Sequence, residues 1–567
     1  MKILHAWLTA IFLSTTVWSN QSDLDAKIAQ FARSPQWLGH FFYEGTPNVY
    51  TSLVESNHYF LSKTGKYNPE DELREVIRRL SSADQITEEH YCHYIGRYEM
   101  VLAVFPEYRK PGHTCKAFED WSQKLSVDEV RLAFATGYMK NPASSFGHLF
   151  LKLVSKKQMS ESLNYGINFS AQTGADSGAI YALKGLFGEY PGGFSFLPYH
   201  QLIKDYSDLE GRDIWELDLN LDITAKKRLL LFIYEFDSNY IDYTFLNNNC
   251  AGILERLVYY LQNRAPSRFP SFKPWTIPLE SFQDMAAGVE VKNFFYIPSL
   301  KTQLAYMDKQ LTDSERLNIK EEYVTKNASQ LSARELDYVI LDKKINETNL
   351  DENHYLELMK ARSRKQSDTG FEELKKGVSG DAILKKPRTA SLGVLRDDNG
   401  IGIDLGFLND RMIHGRNISE ISAFNFHIRT ADQTEKLVLK EAEIFSFLAA
   451  ESINFIRKPI SYGGGLFYRD GLDMGVQANA GYVWEYRNLI YYPKLQFNGD
   501  KIHTEIAPEL DILYFSKLGN WKLNISYKDL SIEYFKSTRH DFYINFVVVH
   551  DKKTLSPDTR FGVVKFF

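Results

Sequence analysis

A single cysteine lies where a polar run gives way to an amphipathic pattern. Cys250 follows three asparagines in "LNNNCAGILERLVYYL", and the apolar residues behind it recur at helical spacing, which predicts a helix that begins at Cys250. Free backbone N–H groups and the positive end of the helix dipole stabilise a thiolate at such a position and can serve as oxyanion donors. The pattern favours a nucleophilic thiol. The competing interpretation is a buried cysteine that packs as a small hydrophobic residue.

A thiol nucleophile needs a base, and His148 is the best placed of the 14 histidines. It follows a turn with serine and glycine in "NPASSFGHLFLKLV" and begins an apolar strand, which exposes the ring at a sheet edge. The next strand, in "LNYGINFSA", would return antiparallel and bring Asn168 beside His148, where the amide would fix the tautomer of the ring. Asn164 has the same parity and is the alternative orienting group. An ordinary capping histidine is the alternative for His148.

The other two cysteines, Cys92 and Cys115, lie close together in the sequence. With His90, His93 and His113 they resemble a zinc ligand set. Neither cluster has the short paired cysteine spacing of a structural zinc site, and an exported chain oxidises readily, so a disulfide between Cys92 and Cys115 is favoured. The sequence has no HExxH, GxSxG or Walker motif, and we predict neither a metal nor a cofactor.

The first residues have the pattern of an export signal. Residues 1–19, "MKILHAWLTAIFLSTTVWS", combine an early lysine, an apolar core and small residues near a cleavage position, which predicts a secretory signal peptide. No later stretch approaches the unbroken apolar length of a transmembrane helix. The protein is therefore expected to be exported to the periplasm, in solution or associated with the outer membrane.

The elements that position the thiol and the imidazole belong to a multidomain α+β chain. With 567 residues, two or three domains are expected. The net charge of −5 shows no clustered basic surface and does not favour a nucleic-acid partner. Periodicity and turn signals divide the chain into a helical accessory domain, a mixed α+β domain, a charged helical linker and an antiparallel β domain, over residues 20–125, 126–299, 300–386 and 387–567.

The β domain admits two architectures, with about ten strands expected from the spacing of its turns. One is a soluble barrel or sandwich, and the other is an outer-membrane barrel whose apolar face points outward. The final strand, "RFGVVKFF", places Phe561 and Val563 on one face and ends on Phe567, as outer-membrane barrels do. Lys565 shares that face and argues against insertion. We favour the membrane barrel.

Four motifs in this order, "SSFGHLFLKL", "LNYGINFSA", "YSDLEGRDIWELDL" and "YTFLNNNCAGILERL", resemble the Lnb N-terminal periplasmic domain family over residues 126–299. That family belongs with permuted papain-like folds, such as the NlpC-like hydrolases and lecithin:retinol acyltransferase, in which the histidine strand precedes the cysteine helix. The resemblance implies a permuted papain-like α+β domain. It also implies that Cys250 is the nucleophile, His148 the general base and Asn168 an orienting group.

The resemblance further places Glu210 and Arg212 in a motif that shapes the substrate cleft. The competing interpretation of Glu210 and Arg212 is that they form an ion pair that braces the strand after them. Asn249, directly before the nucleophile, is the third candidate for substrate binding. The cysteine helix of the family commonly begins with an acid and "NCS", whereas this sequence has "NNNCAG", a departure that bears on substrate preference.

Three functions remain open from the sequence. In the first, Cys250 takes an acyl chain from a lipid as a thioester and passes it to the amine of a lipoprotein, as the family resemblance implies. In the second, the same centre hydrolyses an amide in peptidoglycan or a peptide, since the acylation chemistry is shared. In the third, the domain is inactive and serves envelope binding or assembly. The expected partners are a lipid, lipoprotein or peptidoglycan substrate and the outer membrane.

Overall fold

The structure is a computed structural model of the chain. It describes residues 23–566 apart from gaps at 47–48, 83–85, 139–143, 175–183, 186–187, 265–274, 291–292, 347–350, 367–370, 377, 379, 385–388, 398–399, 411–418, 431–436, 470–472, 500–503, 517, 527, 538–541 and 552–556. The predicted signal peptide lies outside the described residues. The chain forms two compact units, one up to Thr136 and over Gly147–Ile297, the other over Gly137–Phe146 and Pro298–Phe567.

The first unit begins with helices, as the sequence predicts, and with a short hairpin, which is not predicted from the sequence. The third helix starts at Pro69, because the Asn68 side chain accepts from the backbone N–H groups of Glu70 and Asp71 and Pro69 occupies the first turn. The elements are α1 (23–32), α2 (Pro35–His40), β1 (Tyr43–Thr46), β2 (Val49–Ser52), α3 (Pro69–Ser81), α4 (Glu88–His93), α5 (Ile95–Val104) and α6 (Lys116–Leu125).

A disulfide joins two of these helices. Cys92 in α4 is bonded to Cys115, whose own side chain caps the start of α6. The predicted pairing is confirmed, and the zinc alternative is wrong because both sulfurs are used in the bond. Cys250 is the free cysteine.

A seven-stranded antiparallel sheet forms the centre of the first unit, in the order β8-β6-β5-β4-β3-β7-β9. The strand predicted to begin at His148, the next strand with Asn168 and the helix predicted to begin at Cys250 are confirmed. The strands are β3 (Glu129–Ala135), β4 (His148–Val154), β5 (Tyr165–Ala171), β6 (Tyr190–Pro198), β7 (Ile214–Asp218), β8 (Ile241–Tyr243) and β9 (Phe294–Ile297). The helices are α7 (Tyr199–Leu202), continued by a π-helical segment over Ile203–Leu209, α8 (Ile223–Glu235), α9 (Cys250–Leu261) and α10 (Pro278–Ala287).

The charged segment after this domain is helical, as predicted, and it also has a core of its own. Leu336, Tyr338 and Leu358 are fully buried there, because the few apolar residues fall on inward faces. Among the described helices, none combines the length and apolar character needed to cross a membrane. The elements are α11 (Leu300–Gln310), α12 (Asp313–Thr325), α13 (Ala333–Asn346), α14 (Glu352–Ser363), α15 (Phe371–Lys376) and α16 (Asp381–Leu384).

The C-terminal strands form a closed antiparallel barrel. Twelve of the 14 strands follow one another round a ring, which closes where β11 pairs with β13. The barrel is confirmed, the sandwich is wrong, and the expectation of about ten strands was too low. The strands are β10 (Ser391–Asp397), β11 (Gly400–Gly406), β12 (Leu408–Asp410), β13 (Glu420–Thr430), β14 (Leu437–Ala449), β15 (Ser461–Arg469), β16 (Asp473–Gly481), β17 (Trp484–Tyr486), β18 (Leu489–Gly499), β19 (Thr504–Ser516), β20 (Gly519–Ile525), β21 (Asp529–Ser537), β22 (Phe542–Asp551) and β23 (Pro557–Phe566).

Candidate active site

The cysteine stands at the first position of helix α9, where the sequence places it. The loop before the helix turns back closely over its first turn. A Cβ atom at Gly252 would lie 2.0 Å from the backbone oxygen of Asn247, so a glycine is required at this point. The "NNNCAG" sequence therefore forms a tight entry that fixes where the helix, and with it the thiol, begins.

The asparagine before Cys250 caps this helix. The side-chain oxygen of Asn249 accepts from the backbone N–H groups of Ala251 and Gly252, each at 3.0 Å. Its amide nitrogen donates to the backbone oxygens of Phe245 at 3.0 Å and Thr276 at 2.7 Å. Both ends of the amide therefore shape the loop, and substrate binding by Asn249 stays a prediction.

The thiol of Cys250 is buried, with 2 % of the residue exposed. Burial raises its pKa to about 11, although backbone hydrogen bonds from Leu149 and Ala251, the positive charge of Arg212 and a hydrogen bond with Tyr243 all act to lower it. The N–H groups at the helix start thus act in the expected direction, but they do not preform a thiolate. The N–H groups are in place, but the loss of hydration outweighs them, and the resting thiol is protonated at neutral pH.

The histidine begins strand β4, directly after a turn that only glycine can make. Gly147 has a φ of +101°, and a Cβ atom there would lie 2.3 Å from the ring of Phe134. Strand β5 returns antiparallel, with Asn168 opposite Phe150. The imidazole Nε2 of His148 lies 2.6 Å from Oδ1 of Asn168. The structure thus brings together the two residues that the strand periodicity placed side by side.

The alternative orienting residue lies at the other end of the same strand. The side-chain oxygen of Asn164 accepts from the backbone N–H of Ser155 at 2.9 Å, and its amide nitrogen donates to the backbone oxygen of Glu161 at 3.1 Å. Asn164 therefore holds the turn between β4 and β5. Equal parity along a strand was insufficient to choose between the two asparagines, because the register decides which of them reaches His148.

The contact with Asn168 determines which nitrogen of His148 carries the proton. An amide oxygen only accepts, so Nε2 donates and Nδ1 keeps its lone pair. Burial and the nearby positive charge of Arg212 lower the pKa of His148 to about 4, whereas the hydrogen bond with Asn168 acts to raise it. The imidazole is therefore neutral at pH 7 and able to accept a proton at Nδ1.

The thiol of Cys250 lies at the start of β4, the strand that His148 begins. The sulfur of Cys250 is hydrogen-bonded to the backbone of Leu149, the residue after His148. The ring of Tyr206 lies 5.2 Å from the ring of His148, centroid to centroid, and close enough to Cys250 for the two groups to affect each other electrostatically. A neutral thiol and a neutral imidazole with a free lone pair at the same strand end suit general-base activation of the sulfur.

The two charged residues of the third motif form an ion pair. Nη1 of Arg212 lies 2.8 Å from Oε2 of Glu210. The buried guanidinium also donates to the backbone oxygens of Ala135 and Thr136 at the end of β3. These contacts fit the interpretation that the pair braces the neighbouring strand, and substrate binding by Glu210 and Arg212 stays a prediction. The charge of Arg212 nevertheless acts on Cys250 and lowers the pKa of its thiol.

Two tyrosines at the site were not predicted from the sequence. Tyr206 lies on the π-helical segment, a rare conformation that often marks functional sites. Tyr243 ends the short strand β8 and hydrogen-bonds with the thiol of Cys250. The signal for Tyr206 was its place in the "YSDLEGRD" motif. For Tyr243 the sequence offers little, since a three-residue strand carries almost no periodicity.

A pH profile tests this description of His148. If His148 acts as a general base, kcat/KM should fall on the acid side with a midpoint near pH 4, because the pKa of His148 is lowered to about 4 and the ring accepts no further proton once it is protonated. On the alkaline side the thiol remains protonated until the pH approaches its pKa of about 11. Activity should therefore stay level between pH 6 and 9. An acid midpoint near the ordinary histidine value of 6.5 would contradict the assigned environment.

The domain is an α+β domain built on an antiparallel sheet, in which the strand that begins at His148 precedes the helix that begins at Cys250 along the chain. Among the described residues, no three His, Cys, Asp or Glu side chains come together as metal ligands.

Two parts of the chain match known families. Residues 117–284 match the Lnb N-terminal periplasmic domain family. Residues 29–102 match a domain of unknown function (DUF7843). A comparison with curated proteins finds no match. The family is that of a periplasmic domain, which indicates a protein of the cell envelope.

Proposed function

We propose that this protein is an exported thiol enzyme that acts on acyl or amide bonds in the bacterial envelope. Cys250 is the nucleophile, His148 the general base and Asn168 the residue that orients the imidazole. The observation that carries the proposal is the 2.6 Å contact between His148 and Asn168 at the strand end where the buried thiol also lies. A packing cysteine would need neither a histidine with a fixed tautomer nor a helix terminus beside it.

The reaction begins from the neutral pair. As the sulfur of Cys250 attacks a carbonyl carbon, its proton passes to Nδ1 of His148, and the carbonyl oxygen becomes an oxyanion. The backbone N–H groups at the start of α9 are the available donors for that oxyanion. The tetrahedral intermediate then collapses, the leaving alcohol or amine takes the proton from the imidazolium, and a thioester remains on Cys250. An amine or a water molecule completes the cycle by attacking the thioester.

The acceptor distinguishes the two reactions within this proposal. In acyl transfer, which we place first, a phospholipid supplies the acyl chain and the amine of a lipoprotein receives it. In hydrolysis, the substrate is an amide of peptidoglycan or a peptide, and water is the acceptor. Incubation with a phospholipid followed by mass spectrometry of the Cys250 peptide should show a mass increase equal to the acyl group. Release of fragments from peptidoglycan without a lipid thioester would favour the hydrolase. If neither the thioester nor the fragments are detected, the domain is a non-catalytic binding module.

The orienting role of Asn168 gives a separate prediction. Asn168→Ala should lower kcat by about 10–100-fold and leave KM unchanged, because the imidazole loses the acceptor that fixes its tautomer. Asn168→Asp retains an oxygen acceptor and should recover much of the activity. Steady-state kinetics of both variants make the comparison. Equal losses in both would indicate that the position matters only for folding.

We further propose that the barrel inserts in the outer membrane. Every strand of the twelve-stranded ring carries at least one large apolar or aromatic side chain that faces outward and is exposed, from Leu392 on β10 to Phe561 on β23. The exposed fraction reaches 68 % for Ile506 and 61 % for Leu437. Such a surface is costly to leave in water, whereas a bilayer accepts it.

The rings on one part of this surface form a continuous row. Tyr514, Trp521, Tyr534, Phe546 and Phe561 are direct cross-strand partners over five consecutive strands, β19 to β23. Aromatic rows on the outside of a barrel are typical of the membrane interface, where a ring has one apolar and one wet side. Of the aromatic residues of the last strand noted in the sequence, Phe561 belongs to this row, and Phe567 lies outside the described residues.

The inside of the barrel has the opposite character. Lys494 lies 2.7 Å from the carboxylate of Asp511, and Asn524 donates to the same carboxylate at 2.6 Å. On another wall, Asn425 donates to Glu443 at 2.8 Å. An apolar exterior around a charged, hydrogen-bonded interior reverses the arrangement of a soluble barrel and supports insertion.

A further inference from the structure

A cavity in the first unit lies among elements that the proposed reaction does not use. Its volume is about 870 Å³, within the range of roughly 300–1,000 Å³ that small-molecule sites occupy. Helices α4 and α6, strand β6, the end of α8 and the turn after it form the walls. The residues that line it differ from those around Cys250 and His148.

Half-buried aromatic rings form one side of this cavity. The ring of Trp121 lies 5.8 Å from that of Phe196 and 5.5 Å from that of Tyr234, centroid to centroid. Tyr94 lines the same cavity. None of the four side chains is fully buried, so each keeps part of its ring available to a ligand. Large aromatic surfaces of this kind bind ligands with one apolar face and a polar edge.

Exposed polar side chains stand around these rings. His58, Glu89, His93 and Asp237 line the cavity. In the part of the chain that the structure describes, their side chains have no hydrogen bond or ion pair to the protein. Two imidazoles can donate or accept, and two carboxylates can accept, so the rim offers both kinds of hydrogen bond to a ligand.

We propose that this cavity binds a short oligosaccharide. A sugar ring has a face of C–H groups that packs on an aromatic ring and an edge of hydroxyl groups that donate and accept hydrogen bonds. The aromatic surface around Trp121 suits the C–H face of the sugar, and the polar rim suits its hydroxyl groups. A phosphate group would meet the repulsion of Glu89 and Asp237, and an acyl chain would desolvate these carboxylates without compensation.

The disulfide gives this cavity a rigid frame. Cys92 lines the cavity in α4, and its partner Cys115 starts α6, the helix that carries Trp121. The bond therefore fixes the wall with His93 and Glu89 relative to the aromatic wall. A preorganised site loses less conformational freedom when a ligand binds, which raises affinity.

The test uses the full-length protein in detergent and tri-N-acetylchitotriose as the probe. We expect saturable binding, followed by titration calorimetry, that Trp121→Ala weakens at least about tenfold and Trp121→Phe weakens less, because phenylalanine keeps a ring. Asp237→Asn and Glu89→Gln should each weaken binding as well. Both residues are exposed, and within the described part of the chain their side chains have no partner to lose, so these variants guard against a folding defect in Trp121→Ala. Reduction of the disulfide in a Cys250→Ser background should also lower affinity.

Several outcomes would overturn this proposal. One is an absence of saturable chitotriose binding. Another is an equal affinity in the wild type, in Trp121→Ala and in Asp237→Asn. A third is displacement of the sugar by choline at a lower concentration, which would indicate a cation site. The proposal is independent of the reaction at Cys250. Cys250→Ser should bind the sugar as the wild type does, and Trp121→Ala should still form the acyl adduct.

Discussion

Replacing Cys250 with serine is expected to abolish the acyl adduct and to lower turnover by at least about 10³-fold. In the proposed reaction the sulfur forms the bond to the acyl group, and a serine hydroxyl that depends on a histidine whose pKa is near 4 is too weakly activated to replace it. Mass spectrometry of the Cys250 peptide after incubation with the acyl donor reports the adduct directly. The variant should fold, because serine is smaller than cysteine and the site already offers hydrogen-bond partners.

The contribution of His148, the proposed base, to kcat should be measurable in the same assay. His148→Ala is expected to lose about 10²–10⁴-fold in kcat, since Nδ1 no longer takes the proton from the thiol. His200→Ala is the matched control, because His200 is an exposed histidine in the same unit and should have no effect. An adduct formed at the wild-type rate by His148→Ala would contradict the assignment of the base. An adduct on Cys250→Ser would contradict the assignment of the nucleophile.

Local sequence patterns were sufficient to predict the main elements of this site. The polar run before an amphipathic stretch placed the start of a helix at Cys250, and two short alternating segments placed His148 and Asn168 on neighbouring strands. The hydrogen bond between these two side chains follows from the antiparallel register, which the short connection between the strands favours. A pattern of period two determines on which face of a strand each side chain lies. It does not determine which residue of the neighbouring strand lies opposite.

The electrostatics of the site could not be predicted in the same way. A helix terminus alone suggested a thiolate, but burial by surrounding elements raises the pKa of Cys250 to about 11. Arg212 and Tyr243 reach the site from other parts of the sheet and are brought there only by the fold. The pKa of a group depends on what surrounds it in three dimensions, and the sequence near Cys250 holds only part of that information.

Closure of the barrel is likewise a long-range property. Each hairpin can be read from its turns, whereas the pairing of β10 with β23 joins the first and last strands of the domain. The pairing of β11 with β13 completes the ring. The alternation of apolar and polar residues was visible in the sequence, but it fits a sandwich and a barrel equally well. Only these non-local pairs separate the two architectures.

A charged side chain should have opposite consequences on the outer and inner faces of the barrel, and two adjacent residues of β16 allow this comparison. Val476 points outward and is 45 % exposed, whereas Gln477 lines the interior cavity. If the outer face contacts lipid, Val476→Arg should destabilise the barrel in vesicles, by as much as about 2–4 kcal/mol, the cost of an arginine at the bilayer midplane. Gln477→Arg should cost much less, because the same charge enters a polar interior. Urea unfolding of both variants refolded into phospholipid vesicles measures the difference.

The same pair of variants separates the membrane barrel from a soluble one. On a soluble barrel Val476 faces water, so Val476→Arg would be almost neutral and the more crowded Gln477→Arg would be the damaging change. Alkaline carbonate extraction of the envelope fraction gives an independent measurement. A bilayer-inserted barrel should remain in the membrane pellet, and release of the wild-type protein into the supernatant would exclude insertion. The order of the two destabilisations therefore decides which solvent surrounds the barrel, whatever the absolute stability of the protein.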